Sequence, residues 1–283
     1  MFLEIKKSHI THNTLNMYRH SVDAYKSIHN MKLSDVKPLH IQNVVNNMVS
    51  SPATITSYYK VVSRIFYIAI NPYRIISDNP CTGVRLPRVE RKNAIHTISD
   101  EDLNKFTKYM REKYPQAYYF LQIARYTGMR LSEVYGLTWN DIDLENRKIS
   151  VNKQLQYVKG VITFEKTKTA NSVRILPIPP ILVNILMEYK SHELEFEYNL
   201  VLNPFKKNGV KCQINTYIKQ FGDDLSAHSL RHTYATKLLA NGLDVKTVSS
   251  LLGDTPAMVM KTYLHFSSEM KAAASNAVAD IFG

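Results

Sequence analysis

The sequence predicts a mainly α-helical protein with a small antiparallel β-sheet, divided into a helical N-terminal domain and a mixed α/β C-terminal domain. Three observations lead to this prediction. A chain of 283 residues is longer than one typical domain and short for three. Apolar residues recur at spacings of three and four over most of the chain, which indicates helices buried on one face. Residues 147–178 instead combine β-branched side chains with no helical period, which is typical of strands.

The first domain is predicted to be helical from about residue 11 to residue 87. Segments 14–30 and 53–70 each carry an apolar stripe at helical spacing, and a shorter helix is predicted over residues 38–49. The two stripes consist of Leu15, Tyr18, Val22, Tyr25 and Ile28, and of Tyr58, Val62, Ile65 and Phe66. The pair Asn79-Pro80 is expected to end helical structure.

A linker is predicted over residues 89–94, between a first domain of residues 1–88 and a second domain of residues 95–283. The stretch LPRVERKNA, which contains it, has a proline and several basic residues but no periodic apolar pattern. Such a composition favours a connection over a packed element.

The second domain is predicted to begin with a helix whose side-chain cap is Ser99, because three acidic residues follow it in the first turn. Another helix is expected over residues 115–126. A small antiparallel sheet of about three strands is predicted over residues 147–178, with Lys159-Gly160 as a turn. Helical patterns resume at about residue 180 and continue to the end.

The net charge of +12 and the pI near 9.5 indicate a polyanionic partner, with nucleic acid as the leading candidate. Residues 1–92 carry a net +8 and the remainder a net +4. The alternative is a solvated basic surface. The predicted helix over residues 53–70 carries Lys60 and Arg64 on the face opposite its apolar stripe, and both are suited to binding phosphate groups.

Composition also bears on compartment. No window of about 18 apolar residues appears, so no membrane span is predicted. The N-terminal stretch lacks the apolar run of a secretory signal. The two cysteines, Cys81 and Cys212, are too few for a disulfide framework and lack the spacing of a zinc site. They are expected to be thiols in a reducing cytosol.

The stretch TGMRLSE, residues 127–133, contains a glycine turn that is predicted to open a helix bearing Arg130. An arginine presents a planar fork of donors that binds two phosphate oxygens at once. Glu133 lies three residues later on the same predicted helical face, where it can hold the guanidinium group. The alternative is an ordinary Arg–Glu pair on the surface.

The stretch KTKTANSVR, residues 166–174, lies between two predicted strands and offers Lys166, Lys168 and Arg174. A lysine at the tip of a hairpin can deliver a mobile ammonium group to a leaving oxygen. The alternative is a solvated hairpin.

The stretch AHSLRHTY, residues 227–234, places His228 and Arg231 three residues apart, on one side of a predicted helix. His228 and His232 are four apart, which is also the spacing of a zinc-binding pair. No adjacent glutamate or third ligand accompanies them, so neither a metal nor a cofactor is predicted. His232 is interpreted as a histidine of the core.

A nucleophile for a phosphodiester is offered by Tyr263 in MKTYLH. Two arginines, a lysine and a histidine gathered on one phosphodiester would balance the charge that develops on its oxygens without a metal. A phenol, with an ordinary pKa of about 10, needs such cationic surroundings to lose its proton. Because the chain has 18 tyrosines, spacing alone does not distinguish Tyr263 from a tyrosine of the core.

In this order, these stretches resemble the tyrosine recombinase, or phage integrase, family. The matching segments, between about residues 115 and 268, are TGMRLSEVYGLTWNDID, KTKTANSVRILPIP, HSLRHTYATKLLANGLDVKTVSSLLGD and KTYLHFS. The basic helical first domain is similar to the family's core-binding domain. The resemblance implies a core-binding domain, a mixed α/β catalytic domain and the activity of a site-specific DNA recombinase.

The resemblance also implies roles for the matching positions. Arg130 and Arg231 would grip the scissile phosphate, and His228 matches the histidine of the H-x-x-R motif. Lys168 would be the general acid for the 5′-hydroxyl leaving group, with Lys166 as second choice, and Glu133 would support the site. Tyr263 would form a 3′-phosphotyrosyl bond, which preserves the energy of the phosphodiester.

One position departs from the family's pattern. After Leu251-Leu252-Gly253 the family usually places a histidine, whereas this chain has Asp254. An ionised aspartate cannot donate a hydrogen bond to a phosphate. We expect Asp254 either to act differently, for example by orienting Tyr263, or to matter less here.

The partner implied by the resemblance is double-stranded DNA with recombination core sites, which the two domains would embrace. Four protomers would synapse two duplexes, with accessory DNA-bending or directionality proteins as further partners. The expected setting is the nucleoid in a bacterial cytoplasm, with a phage or mobile element as the source. Phosphate contacts are expected from Lys60, Arg64, Arg88, Arg91 and Lys92.

Both ends of the chain leave questions open. The final segment, residues 266–283, is predicted to be an amphipathic helix that docks either on a neighbouring protomer or on its own domain. Only about ten residues precede the first predicted helix. Either the protein is a short recombinase that acts at simple paired sites, or a further N-terminal DNA-binding domain is missing.

Two other functions compete with recombination. A type IB topoisomerase-like enzyme would use similar chemistry but would relax supercoils on any sequence. A DNA-binding regulator with a disabled centre would bind DNA without cutting it, and Asp254 is the feature that favours this interpretation.

Overall fold

A computed structural model describes the chain over residues 3–4, 10–89, 96–158, 161–166, 172–192, 196–202 and 210–263. The chain forms two compact units, Met1–Asn93 and Ala94–Gly283. Most of the predicted linker, residues 90–94, lies outside the described residues, as does the predicted terminal helix. Within the described part, no helix has the length and apolar character needed to cross a bilayer.

Helices form the first unit, as predicted. The second of them begins with a proline, whose fixed φ suits the first helical position. The third is capped by Ser51, whose Oγ accepts a hydrogen bond from the backbone N–H of Thr54. The helices are α1 (His12–Asp23), α2 (Pro38–Asn47) and α3 (Pro52–Ile70). Buried side chains of the unit's core are Tyr25, Val36, Ile41, Val45, Ile55, Val62, Phe66 and Cys81.

The prediction of one helix over residues 14–30 was wrong at its C-terminal end. Helix α1 ends at Asp23, and a short 3₁₀ helix over Lys26–Ile28 follows. Tyr25, between them, is 2% exposed and enters the core. A 3₁₀ turn repeats every three residues, so the apolar spacing continues past the end of the α-helix and does not reveal where it stops.

The second unit begins as predicted, with a helix capped by Ser99, whose Oγ lies 3.0 Å from the backbone nitrogen of Asp102. The next helix is buried on almost every side and ends at Gly128, where φ is +62°. A Cβ at this glycine would lie 2.4 Å from the ring of Tyr234, so close packing and backbone conformation both require glycine. The helices are α4 (Asp100–Lys113), α5 (Pro115–Thr127) and α6 (Leu131–Tyr135).

The predicted single sheet of about three strands is in fact two antiparallel sheets. Strands β1 (Ile142–Asp143), β2 (Lys148–Val151) and β5 (Arg174–Pro177) form one, in the order β1-β2-β5, and β3 (Lys153–Val158) pairs with β4 (Val161–Lys166) in the other. Strand β3 does not pair with the first sheet but packs against the end of α6. A Cβ at Gly136, the residue after that helix, would lie 2.9 Å from the backbone nitrogen of Leu155 in β3. The predicted turn at Lys159-Gly160 lies outside the described residues.

Helices follow the strands, again as predicted. The last three form a small cluster of their own, in which Tyr263 is buried together with Ala235, Leu239, Val248, Leu252 and Val259. The helices are α7 (Pro180–Lys190), α8 (Val210–Ile218), α9 (Ala227–Ala240), α10 (Val245–Leu252) and α11 (Pro256–Tyr263). The mainly α architecture with small antiparallel sheets therefore confirms the predicted fold class.

Candidate active site

Arg130 lies at the junction of α5 and α6, one residue before the helix that was predicted to bear it, as its N-cap. Its backbone N–H donates to Glu133 Oε2 over 2.8 Å, and its guanidinium Nη1 donates to Oε1 over 2.9 Å. Glu133 therefore satisfies a free N–H of the helix and orients the arginine at the same time. Because the Glu133 side chain is 2% exposed, the alternative of an ordinary surface pair was wrong.

A second arginine also donates hydrogen bonds to the carboxylate of Glu133. Arg174, from β5, donates from Nη2 to Oε2 over 2.9 Å and from Nη1 to Oε1 over 3.2 Å, and its side chain is 5% exposed. Its Nε donates to the carbonyl of Leu251 over 2.7 Å. Burial raises the pKa of Glu133, but the hydrogen bonds and charges of Arg174 and Arg130 lower it by more. The pKa of Glu133 therefore lies below its ordinary value. The carboxylate is thus the ionised centre of the network.

Arg231 lies on α9, with a side chain 4% exposed. Its Nη1 donates to the carbonyl of Gly128 over 2.9 Å and its Nη2 to the carbonyl of Leu252 over 2.8 Å. The turns after α5 and α10 therefore fix this guanidinium in place. Nη2 also donates to Asp254 Oδ2 over 2.6 Å.

Asp254 bridges the two arginines that were predicted to grip a phosphate. One oxygen accepts from Arg231, and the other forms an ion pair with Arg130 Nη2. Burial raises the pKa of Asp254, but Arg231 and Arg130 together hold it below its ordinary value. Of the two expectations for Asp254, an action different from that of the usual histidine or a lesser importance, its contacts with the two guanidinium groups favour the first.

Tyr263, at the end of α11, meets a histidine of α9. Its Oη lies 2.9 Å from Nδ1 of His232, and the ring of His228 lies edge-on to that of His232 with centroids 4.7 Å apart. The interpretation of His232 as an ordinary core histidine missed this contact. The signal in the sequence was its place beside Arg231, one turn after His228.

Burial sets the protonation of this pair. It raises the pKa of Tyr263 to about 12, against an opposing effect of Arg231. Burial also lowers the pKa of His232 to about 4, with the charges of His228 and Arg231 acting in the same direction. At pH 7 the phenol therefore carries its proton and the imidazole of His232 is neutral.

The structure brings together most of the residues that were predicted to act on a phosphodiester. Those gathered in the second unit are Arg130, Glu133, His228, Arg231, Asp254 and Tyr263. Lys168 lies outside the described residues, and Lys166 is the last residue of β4. Over the described stretches, no group of three or more His, Cys, Asp or Glu side chains is placed to hold a metal ion.

The predicted phosphate-binding residues of the first unit are exposed where they are described. Lys60 and Arg64 lie on the outer side of α3, with the Arg64 guanidinium 4.8 Å from the ring centroid of Tyr67. Arg88 is also exposed. Arg91 and Lys92 lie outside the described residues.

Comparisons with known proteins bear on the family and on the fold. Residues 96–270 match the sequence model of the phage integrase family. A XerC-like tyrosine recombinase of Caldanaerobacter subterraneus subsp. tengcongensis is 29% identical, covering 90% of this chain and 74% of that protein. The fold is similar to that of a Tn1549 transposon integrase in complex with transposon right end DNA, with a TM-score of 0.75 and 22% identity over 98% of both chains. A lambda integrase tetramer bound to a Holliday junction superposes with a TM-score of 0.67 and 18% identity, over 91% of this chain and 74% of that one.

Proposed function

This chain belongs to the phage integrase family, and on that premise we propose that it recombines DNA through a covalent bond between Tyr263 and a 3′-phosphate. It is a tyrosine-type site-specific recombinase, an enzyme that cuts and rejoins DNA. One observation carries the proposal for the site. Two guanidinium groups, of Arg130 and Arg231, converge on a single anion, the carboxylate of Asp254, which occupies the space that we assign to the scissile phosphate.

The two arginines would act on the non-bridging oxygens of that phosphate. Fixed donors stabilise charge that develops in a transition state because they need no reorganisation when it forms. Arg231 is fixed by two carbonyl groups and Arg130 by Glu133. His228, whose pKa is lowered by burial and by the nearby arginines, would add a neutral hydrogen-bond donor.

The covalent step exchanges one phosphate ester for another. Oη of Tyr263 bonds to phosphorus, and the bond from phosphorus to the 5′ oxygen breaks. By resemblance, Lys168 gives its proton to that leaving oxygen. The reverse attack by a 5′-hydroxyl from another strand restores the phosphodiester, so neither ATP nor a cofactor enters the scheme.

Binding DNA would require the phosphate to displace Asp254 from the arginine pair. We therefore expect Asp254→Asn to tighten binding to a core-site duplex by about tenfold, because the competing negative charge is removed. The fold should persist, since Arg231 keeps its bonds to the carbonyls of Gly128 and Leu252. The dissociation constant, measured over a series of salt concentrations, tests this.

A matched control is Asp223→Asn, which removes the same charge at an exposed position of the second unit. It should leave the affinity nearly unchanged. Weaker binding by the Asp254→Asn chain would mean that Asp254 stays on the arginines and orients them while DNA is bound, and would contradict displacement.

The first unit is assigned to DNA binding, with the exposed Lys60, Arg64 and Arg88 on phosphates. The working assembly is proposed to be a homotetramer on two duplexes, assisted by DNA-bending or directionality proteins. Support comes from the likeness to a lambda integrase tetramer bound to a Holliday junction. We propose a mobile element as the source, in line with the likeness to a transposon integrase, and the bacterial nucleoid as the place of action.

The experiment that tests this function uses two supercoiled plasmids, one with two copies of the source element's junction sequence and one without them. Recombination predicts deleted or inverted products from the first plasmid alone, with joints inside the junction sequence. Equal relaxation of both plasmids would identify a topoisomerase-like enzyme. Binding with neither product nor covalent adduct would identify a DNA-binding regulator.

A further inference from the structure

The hydroxyl group of Tyr263 lies against His232 of α9. Tyr263 is 6% exposed, and its Oη lies 2.9 Å from Nδ1 of His232. The two rings meet edge to face, with centroids 5.8 Å apart. A nucleophile so deeply buried cannot pass its proton freely to bulk water, so a neighbouring group has to accept it.

We propose that His232 is the proton acceptor for Tyr263, a catalytic role that rests on Tyr263 being the nucleophile. The O–H proton of Tyr263 moves to Nδ1 of His232 as Oη forms its bond to phosphorus, while the bond to the 5′ oxygen breaks and that oxygen takes a proton from the general acid. In religation Oη leaves phosphorus and takes its proton back from Nδ1. His232 thus ends each cycle as it began.

Among the groups near Tyr263, His232 is the one placed to accept its proton. The charged or titratable neighbours of His232 are His228, Arg231, Asp254 and Tyr263 itself. Arg231 is a donor with no lone pair to offer, and the hydrogen bonds of the Asp254 carboxylate go to the guanidinium groups of Arg130 and Arg231. His228 meets the ring of His232 edge-on, whereas Nδ1 of His232 is within hydrogen-bond distance of the reacting oxygen.

The protonation states of Tyr263 and His232 in the free protein mean that the proton moves only when Oη bonds to phosphorus. Burial lowers the pKa of His232 to about 4 and raises that of Tyr263 to about 12, so the proton stays on the phenol in the free protein. As Oη bonds to phosphorus it loses electron density and becomes far more acidic. The transfer then runs downhill, and no free phenolate is formed.

Replacing His232 by asparagine separates proton acceptance from positioning. The Oδ1 of an asparagine occupies about the place of Nδ1, so His232→Asn keeps an acceptor for the phenol but removes the basic nitrogen. We expect the single-turnover rate of cleavage of a nicked core-site duplex to fall on the order of 10²–10⁴-fold, the range of general base catalysis. A rate close to that of the unchanged chain would overturn the proposal.

A more acidic nucleophile should rescue the variant. A fluorinated tyrosine placed at position 263 by codon suppression loses its proton more easily, so it needs a base less. In the His232→Asn chain it should restore a large part of the lost rate, whereas in the His232-containing chain it should change the rate little. No rescue would show that His232 only positions the ring.

A second variant guards against a folding defect. His232→Ala, assayed with imidazole in the buffer, should regain activity in proportion to the imidazole concentration. His228→Asn is the matched control on the same helix, and its rate should be restored neither by imidazole nor by the fluorinated tyrosine. Equal rescue of both histidine variants would contradict the assignment to His232.

The outcomes also separate this inference from the proposed function. An adduct that persists in Tyr263→Phe would show that Tyr263 is not the nucleophile, and would refute both proposals. An adduct that requires Tyr263 but forms at the normal rate in His232→Asn would leave the function standing and refute the role of His232 alone.

Discussion

A Tyr263→Phe chain is expected to form no SDS-resistant adduct with DNA. The substitution deletes Oη, the atom to which phosphorus would bond, and loss of a covalent nucleophile typically costs a factor of about 10⁴ or more. Incubation with a nicked duplex that carries the source element's junction sequence, followed by denaturing electrophoresis, measures this. The unchanged chain should give a band shifted by the mass of the protein.

The same variant should fold and bind DNA normally, so the loss can be attributed to chemistry. A phenylalanine keeps the ring in the small buried cluster that contains Leu252 and Val259, and the hydrogen bond to His232 is lost, which is worth about 1 kcal/mol. A small shift in melting temperature is expected, with unchanged affinity for the duplex.

Tyr189→Phe provides the matched control. This tyrosine is 2% exposed and accepts a hydrogen bond from Gln116 over 2.9 Å, so the change removes one buried hydroxyl group elsewhere in the same unit. Its adduct yield should equal that of the unchanged chain. An adduct of full yield from Tyr263→Phe would place the nucleophile at another residue.

The elements that the sequence predicted well are those with local signals at their ends. Ser99, followed by acidic residues, caps α4 as expected, and the proline-led α2 and α3 begin within a residue of their predicted starts. The end of α1 carries no such signal, and β1 has only two residues, too few for any periodicity. The separation of β3 from the first sheet follows from its packing on α6, which is a tertiary contact.

For the site, spacing alone placed His228 with Arg231 and Glu133 with Arg130, each pair on one helical face. The association of Arg130 and Tyr263 with His228 and Arg231 rested on the resemblance to a family, because these residues are distant in sequence. Arg174 was named only as one basic residue of the stretch 166–174, for which a solvated hairpin was the alternative, and nothing local reveals that its side chain is 5% exposed. Charged residues are rarely buried unless they are paired, and the partner, Glu133, lies 41 residues away.

The contacts of Asp254 could not be predicted from local sequence either. Its departure from the family's pattern was visible in the sequence, but its contact with both arginines depends on the turn after α10. There Gly253 adopts φ +66°, and a Cβ would lie 2.9 Å from Nη1 of Arg174. The turn therefore packs directly on the buried Arg174, and it aims the aspartate at Arg130 and Arg231.

The buried pair of Glu133 and Arg174 leads to the largest expected effect on stability. Glu133→Gln should lower the free energy of unfolding by about 3–5 kcal/mol, because it leaves the charge of Arg174 buried without its counter-ion. Chemical denaturation followed by circular dichroism measures this. Glu112→Gln removes an exposed carboxylate from α4 and should change the unfolding free energy by less than about 0.5 kcal/mol.

The effect should depend on pH in a defined direction. The pKa of Glu133 in the folded chain lies below its ordinary value, so its contribution is fully present above the unfolded pKa of about 4.3. That contribution is lost as the pH falls through the lower folded pKa. The difference between the unchanged chain and Glu133→Gln should therefore be constant from about pH 6 to pH 8 and shrink below about pH 4.

A double substitution separates the structural from the functional part of this network. Replacing Glu133 and Arg174 together by methionine removes both buried charges, and such apolar replacements are often close to neutral in stability. We expect most of the stability to return while cleavage of the nicked duplex stays impaired, because Arg130 has lost the carboxylate that orients it. If both stability and cleavage recovered, the orienting role of Glu133 would be refuted. If neither recovered, the loss in Glu133→Gln could not be attributed to an uncompensated charge on Arg174.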